Sequence, residues 1–314
     1  MSLRLMDGSE AIAEAALACG LRFYAGYPMS PATDLLEHLA AKLPDRGGVC
    51  INAETEIEGV NMAIGAASVG FRAATGSCGQ GVALMQEAIA EVALNETPMV
   101  VFTMGRNQQD YFQATRGGGW GDYRTIALAP KDGMEAVELT QLAFHLADKH
   151  RVPVIFYGDN ILARTQVGVD TSVRDFGELS EKDWVLDGSS GGTGRSKQLW
   201  TFGYGKHNTP GPGPDGHWRR LGEKFEAIKA SEQRWEELWC DDAEVVVTAF
   251  GTGGKFVEYV VDELRREGRK VGYFRPITLW PFPEEALERA AACARQVLVF
   301  ELNAGQMIED VRMS

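Results

Sequence analysis

Leu21-Arg22-Phe23-Tyr24-Ala25-Gly26-Tyr27-Pro28-Met29-Ser30-Pro31 is an apolar run that stops in a stiff turn. Leu21–Ala25 has the composition of a buried strand, and the prolines at 28 and 31 lock the backbone that follows it. Leu35, Leu36 and Leu39 then recur at helical spacing. A strand, a rigid turn and a helix in that order open a parallel sheet covered by helices.

The same alternation extends on both sides. Upstream, Ser9 is positioned to cap a helix from Glu10, with Gly20 just past its end. Downstream, Val49–Asn52, Arg72–Thr75, Pro98–Met104 and Val152–Tyr157 read as strands, and helices are expected from Glu54 and over Leu84–Leu94 and Ala136–His150. Between Asp187 and Pro214, Gly, Ser, Pro and Thr dominate, which marks a linker whose Trp200, Phe202 and Tyr204 suggest partial packing. A charged helix from His217 to about Trp239 precedes a second unit: strand Val245–Phe250, a turn at Gly251-Thr252-Gly253-Gly254, helix Phe256–Arg266, and strands Val271–Phe274 and Val297–Phe300. The expected organisation is a doubly wound α/β domain over 1–185, a linker and charged helix over 186–240, and a smaller α/β domain over 241–314.

Composition excludes several function classes. The chain has 314 residues and a formal net charge of −13, which disfavours nucleic acid and anionic membranes as partners. No apolar run approaches the roughly 18 residues of a spanning helix, and Met1-Ser2-Leu3-Arg4 lacks a signal-peptide core, so a cytoplasmic protein is expected. Cys19, Cys50, Cys78, Cys240 and Cys293 are scattered, without a Cys-x-x-Cys pair, so no metal or cluster site is expected on this chain. His207 and His217 fall in the Gly/Pro stretch, where solvent exposure is expected.

Candidate chemistry lies where strands end at their carboxyl edge. Ser30 holds a hydroxyl there, although the commoner role for such a residue is a helix cap. Glu54, Glu56 and Glu58 stand at a strand-to-helix junction, where the helix dipole favours carboxylates, and spacing does not choose among them. Arg106, after Pro98–Met104, could clamp a carboxylate through two parallel hydrogen bonds. Gly117, Gly118, Gly119 and Gly121 stand among aromatics between Asp110 and Arg124, and describe a mobile loop able to approach a ligand. Gly251-Thr252-Gly253-Gly254 departs from a dinucleotide fingerprint, because its third glycine is misplaced and Arg275 stands where an acid is needed.

Taken together these segments resemble the α subunit of the 2-oxoacid:ferredoxin oxidoreductases. The landmarks are Tyr24 to Pro28, Glu54-Thr55-Glu56, Ile64 to Ala67, Asp110 to Arg124, Ala127 to Pro130, Arg275 to Pro283 and Glu301 to Met307, in order along nearly the whole chain. The 110–124 and 279–283 stretches look most like the branched-chain (2-oxoisovalerate) branch. The resemblance implies a pyrimidine-type thiamine-diphosphate-binding domain followed by a smaller transketolase C-terminal-like domain. Thiamine diphosphate would be shared with a β subunit that holds the diphosphate and Mg²⁺, since Gly158-Asp159-Asn160 lacks the context of the family's metal motif. Clusters of the [4Fe-4S] type would sit on a ferredoxin-type partner subunit or domain. Substrates would be a 2-oxoacid and coenzyme A, in a hetero-oligomer with dimerised α chains.

By this resemblance Glu56 aligns with the glutamate that bonds the aminopyrimidine ring, and Tyr27 and Pro28 fall with it among the cofactor contacts. Arg106 aligns with the substrate-carboxylate arginine and Ser30 with a substrate-side threonine. Departures are Ser30 in place of threonine, only Asn107-Gln108-Gln109 between Arg106 and Asp110, and an end at Ser314 soon after Gln306, which suggests truncation. Alternatives are a 2-oxoglutarate- or pyruvate-specific relative, a non-oxidative thiamine decarboxylase, and a non-catalytic scaffold.

Overall fold

The computed structural model describes residues 3–186 and 213–314. Of the expected linker, residues 187–212, with Trp200, Phe202, Tyr204 and His207, lie outside the described residues. The first unit opens with β1 (Arg4–Asp7) and α1 (Gly8–Ala18). The cap of α1 is Asp7, whose carboxylate accepts the Glu10 N–H at 2.8 Å, and not Ser9. The Asp7 side chain starts the helix two residues earlier and leaves Ser9 buried inside it. Then come β2 (Leu21–Gly26), α2 (Ala32–Lys42), β3 (Val49–Asn52), α3 (Glu56–Ser68), β4 (Arg72–Ser77) and α4 (Gln80–Leu94). After these follow β5 (Met99–Gly105), α5 (Tyr111–Thr115), β6 (Ile126–Leu128), α6 (Gly133–His150), β7 (Pro153–Asp159), α7 (Asn160–Arg164) and β8 (Gln166–Val169).

The second unit holds α8 (Gly213–Ser231), β9 (Trp235–Leu238), β10 (Val245–Thr248), α9 (Gly251–Arg266), β11 (Val271–Pro276) and β12 (Thr278–Trp280). It ends with α10 (Glu284–Ala291), β13 (Gln296–Val299) and α11 (Met307–Met313).

The first unit is built on a seven-stranded sheet of order β12-β6-β7-β5-β4-β2-β3. From β6 to β3 every pairing is parallel. β5 and β7, which pair at its centre, are buried along their whole length, as strands covered on both faces must be. Phe102 of β5 packs on Phe156 of β7 (5.5 Å between centroids) and on Phe144 of α6 (6.4 Å). α3 crosses β2 and packs beside α4, whereas α1 packs against α2 and α6. The result is a three-layer doubly wound domain.

The second sheet has the order β13-β10-β11-β9, parallel except for β9. The chain then leaves it at Ile277, and β12 pairs antiparallel with β6, closing the edge of the first sheet. Arg275 crosses the same boundary. It is 1% exposed and forks onto Glu135 of α6 at 2.9 and 2.7 Å, with Glu236 of β9 at 3.0 Å. Lys131 adds bonds to Glu236 and Glu258.

Two expectations about the second unit are corrected. The charged helix does not run to Trp239: it ends at Ser231, and residues 235–238 form a strand. Arg234 is drawn into the sheet edge, where its carbonyl accepts the Ile277 N–H and its N–H reaches the Thr278 hydroxyl. Gly251 to Gly254 are not a turn but the buried first turn of α9. Helix propensity is overridden there by packing, because a Cβ at Gly254 would run into the Arg275 side chain. His217 is buried on α8, with its ring 6.0 Å from that of Trp218. No helix among the described residues is long and apolar enough to cross a membrane.

Glu232, 1% exposed, ends α8 against α6. Its carboxylate accepts from Lys149 and His150 at 2.7 Å and from Arg234 at 2.9 Å. Burial alone would raise its pKa, but His150, Lys149 and Arg234 outweigh that and hold it far below the ordinary value of 4.5. A carboxyl whose pKa is depressed on folding stabilises above its unfolded value and loses that contribution as pH falls. Glu232→Gln should therefore lower the unfolding temperature at pH 7 and flatten its fall below about pH 4.5, read by thermal unfolding across pH.

Candidate active site at the sheet switch point

From β2 the chain moves outward to β3, then returns across β2 to form β4 on its other side. That reversal opens a crevice at the carboxyl ends of β2 and β4, where ligands bind in open α/β sheets. Around it stand the turn after Gly26, the start of α3, Ser77-Cys78-Gly79 after β4, and Arg106 to Asp110 after β5.

The structure sorts the three acids by local hydrogen bonding. Thr55 caps α3, its hydroxyl accepting the Glu58 N–H at 3.2 Å. Glu58 reaches back to the Glu54 N–H at 3.0 Å, a variant of the capping box. Glu54 and Glu58 are exposed, whereas Glu56 is 4% exposed at the first position of the helix. The Ser77 hydroxyl donates to Glu56 Oε1 at 3.0 Å. Among the described residues the other carboxylate oxygen takes no hydrogen bond, so it has acceptor capacity to spare. Gly81, in the first turn of α4, leaves room for this pair: a Cβ there would run into both Ser77 Oγ and Glu56 Oε1.

Asp110 is a second buried carboxylate at the crevice, 5% exposed. It accepts the Gly79 N–H at 3.0 Å, and its own N–H donates to Tyr157 Oη at 3.1 Å. Burial raises its pKa, opposed by the Gly79 N–H and Arg106. Cys78 is buried between these groups, its thiol donating to the Ser30 carbonyl at 3.3 Å. Burial raises the thiol's pKa, Arg106 opposes, and Asp110 and Glu56 add to the rise.

The remaining candidates line the rim. Arg106 is exposed and reaches Gln80 Oε1 at 3.5 Å, the limit of a hydrogen bond. Ser30 does not cap α2, which begins at Ala32 behind Pro31. Its hydroxyl instead accepts from Arg164 Nη2 at 3.3 Å, while Arg164 also pairs with Asp34 at 3.3 Å. Tyr27 and Pro28 are exposed on the same turn. Glu56, Ser30 and Arg106 thus gather about one crevice, with Tyr27 and Pro28 on its outer lip. Sequence reasoning missed Ser77, Cys78, Gly81, Asp110 and Arg164. Ending the strand at Ser77 rather than Thr75 would have put Ser77 and Cys78 at the carboxyl edge.

Two glycine segments have structural work. The stretch after Asp110 is not the open loop expected: Tyr111–Thr115 is helical, and Tyr123 is buried with its hydroxyl accepting the Gly118 and Gly119 N–H groups at 3.1 Å. A Cβ at Gly119 would collide with the Gln86 carbonyl and Ala90, so that glycine admits the backbone onto α4 rather than onto a ligand. At Gly251 to Gly254, the Thr252 hydroxyl bonds Asp159 and the segment packs on Gln108 and Arg275. Asp159 has its other oxygen on the Leu162 N–H at 2.9 Å, so both are taken.

Comparison with known proteins follows the same division. Residues 14–174 match the family described as Pyruvate flavodoxin/ferredoxin oxidoreductase, thiamine diP-bdg, and residues 243–314 match Pyruvate:ferredoxin oxidoreductase core domain II. The ketoisovalerate oxidoreductase subunit VorB of Methanothermobacter marburgensis is 34% identical, covering 100% of this chain and 90% of that protein. The 2-oxoglutarate synthase subunit KorA of the same organism is 32% identical, over 98% of this chain and 90% of that one. Among solved structures, the 2-oxoglutarate:ferredoxin oxidoreductase of Magnetococcus marinus with 2-oxoglutarate, coenzyme A and succinyl-CoA bound superposes with a TM-score of 0.86 at 26% identity. It is matched over 99% of this chain, which spans 60% of that longer one.

Gly81→Ala should cost about 1–3 kcal/mol in denaturant unfolding by overpacking the Glu56–Ser77 pair. Because the added methyl collides with Ser77 Oγ, Gly81→Ala with Ser77→Ala should cost less than the two single changes summed; strict additivity would contradict the contact.

Proposed function

This chain belongs to the 2-oxoacid:ferredoxin oxidoreductase family, and from that premise we propose that it supplies the pyrimidine half of a thiamine-diphosphate site completed by a β subunit. The assembled complex would oxidatively decarboxylate a 2-oxoacid to acyl-coenzyme A and CO₂ while reducing ferredoxin. The observation that carries this reading is the Glu56 carboxylate, buried at the switch-point crevice with one oxygen on Ser77 and the other unspent. Those residues fit a cofactor ring that needs a carboxyl partner. The chemistry supplied by bound thiamine diphosphate is stabilisation of the carbanion left when CO₂ departs.

The residues of this chain take defined roles in that reading. Glu56 would hold the aminopyrimidine ring through a carboxylate hydrogen bond, the partner the ring's base chemistry needs. Ser77 orients Glu56 by occupying one oxygen and leaving the other for the ring. Tyr27 and Pro28, exposed on the turn after β2, would help to hold the ring. Arg106 clamps the oxoacid carboxylate, and the Ser30 hydroxyl donates to it. Arg106 carries its charge on an exposed side chain at the rim of the crevice, accessible to a substrate carboxylate.

We assign the diphosphate and Mg²⁺ to the β subunit, because Asp159, the carboxylate nearest in pattern to a metal ligand, is consumed by Leu162 and Thr252. The [4Fe-4S] clusters belong to a ferredoxin-type partner subunit or domain, in a cytoplasmic hetero-oligomer. The preferred substrate class is a branched-chain 2-oxoacid, in line with the ketoisovalerate relatives. The 2-oxoglutarate relatives supply the rival class, and a panel of oxoacids with coenzyme A and ferredoxin separates the two.

Glu56→Gln in the reconstituted complex should lower turnover by about 10²-fold or more with the fold intact; near-normal turnover would remove Glu56 from the mechanism and favour a scaffold subunit. Arg106→Ala should raise the KM for the oxoacid by about tenfold or more, with a smaller effect on kcat. An unchanged KM would exclude the clamp.

A further inference from the structure

The link between Arg106 and Asp110 is short, and the second sheet's domain is what grips it. Gln108 is fully buried. Its backbone N–H donates to the Leu302 carbonyl at 3.3 Å, and its carbonyl accepts from Asn303 Nδ2 at 2.8 Å. In the side chain, Nε2 donates to the Phe250 carbonyl at 2.9 Å, and Oε1 accepts the Leu302 N–H at 2.9 Å. The residue thus makes an amide-for-strand bridge to the segment after β13 and to the start of α9. One position further on, the Gln109 carbonyl accepts from Gln306 Nε2 at 2.9 Å, and Gln306 Oε1 takes the Phe112 N–H at 2.9 Å. On the far side Asp110 is fastened to Gly79, at the start of the helix whose Gly81 borders the Glu56–Ser77 pair.

Arg106 itself has no comparable support: among the described residues the one hydrogen bond of its exposed guanidinium is to Gln80, at 3.5 Å. Where its guanidinium can reach is therefore set by where the backbone puts its Cα, two residues from Gln108. We propose that Gln108 is a positioning residue, through which the second domain sets Arg106 for the carboxylate of the 2-oxoacid. This rests on the reading of Arg106 as the carboxylate clamp. The logic is that of pre-organisation: a misplacement of about 1 Å in a binding group can cost up to about 10²-fold in rate. Removal of the amide leaves the half-buried Leu302 N–H without its partner and the buried Phe250 carbonyl with the Gly254 N–H alone, a loss that movement of the link would relieve.

The test uses the assembled complex and compares Gln108→Leu, Gln108→Glu, Arg106→Ala and Glu236→Gln. Gln108→Leu keeps the bulk, loses both side-chain bonds, and should raise the oxoacid KM about tenfold with a smaller change in kcat. Gln108→Glu should behave alike at about pH 8.5 and recover as pH falls toward about 6, because a protonated carboxyl offers the same donor and acceptor as the amide and burial raises its pKa. The parent complex should lack that recovery. Glu236→Gln, which weakens the Lys131 contact between domains and the Arg275 contact within the second sheet, should lower the unfolding midpoint and leave KM within about twofold. The inference is overturned if Gln108→Leu leaves KM within about twofold while Arg106→Ala raises it, or if Glu236→Gln raises KM as much as Gln108→Leu. If Gln108→Leu does not assemble, the presence or absence of acid recovery in Gln108→Glu decides. An unchanged KM in Arg106→Ala defeats the clamp itself, a result distinct from failure of the Gln108 variants.

Discussion

A carboxylate withdrawn from water costs several kcal/mol unless hydrogen-bond donors or charges compensate it. Glu56 is in that position, with Ser77 supplying one donor and the first turn of α3 the favourable end of a helix dipole. Much of the first domain serves to keep it there. β3, α3 and β4 carry the chain back over β2, so the reversal in strand order and the start of α3 coincide above one crevice. Thr55 and Glu58 fix where α3 begins, and Gly81 leaves the space the carboxylate occupies. Glu56 thus stands at the carboxyl edge where a sheet of this kind binds its ligand, with one carboxylate oxygen engaged by Ser77.

The second domain is joined to the first by polar bonds and by sheet. β12 completes the edge beside β6, and Arg275 and Lys131 bridge α6 and its entry loop to β9 and α9. Near the crevice the joint changes character. Gln108 and Gln306 bond backbone groups directly, and Tyr111 and Arg116 meet Asp310 of α11. Such bonds hold direction more sharply than apolar packing does, which would suit the role proposed for Arg106.

The layers of the fold were legible because their physics is local. β5 and β7 are mostly apolar runs buried along their length, and β2 is followed by prolines that cannot continue a strand. What escaped were features decided by contacts distant in sequence. Gly251 to Gly254 look like a turn until Arg275 and Gln108 are placed against them, and residues 235–238 look helical until β11 offers a sheet edge. The glycines after Asp110 suggested a mobile ligand loop; the sequence did not show that Gly118, Gly119 and Gly121 also pack on α4 and Gly117 on Tyr123. At the site, Glu56 could be separated from Glu54 and Glu58 by family resemblance and not by spacing. The capping pattern of Thr55 and Glu58, read as such, would have removed Glu58 from contention. Gly81 carried no signal of its own and Ser77 only its place at a strand end, since their meaning lies in a side chain 21 residues before Ser77.

The central claim is that Glu56 gives its free oxygen to the cofactor. A structure of the complete α/β complex with thiamine diphosphate bound measures this directly. The account predicts a Glu56 carboxylate oxygen within about 2.6–3.2 Å of a pyrimidine ring nitrogen, with the Ser77 bond retained on the other oxygen. A ring seated elsewhere, with Glu56 touching only Ser77 and water, would contradict it.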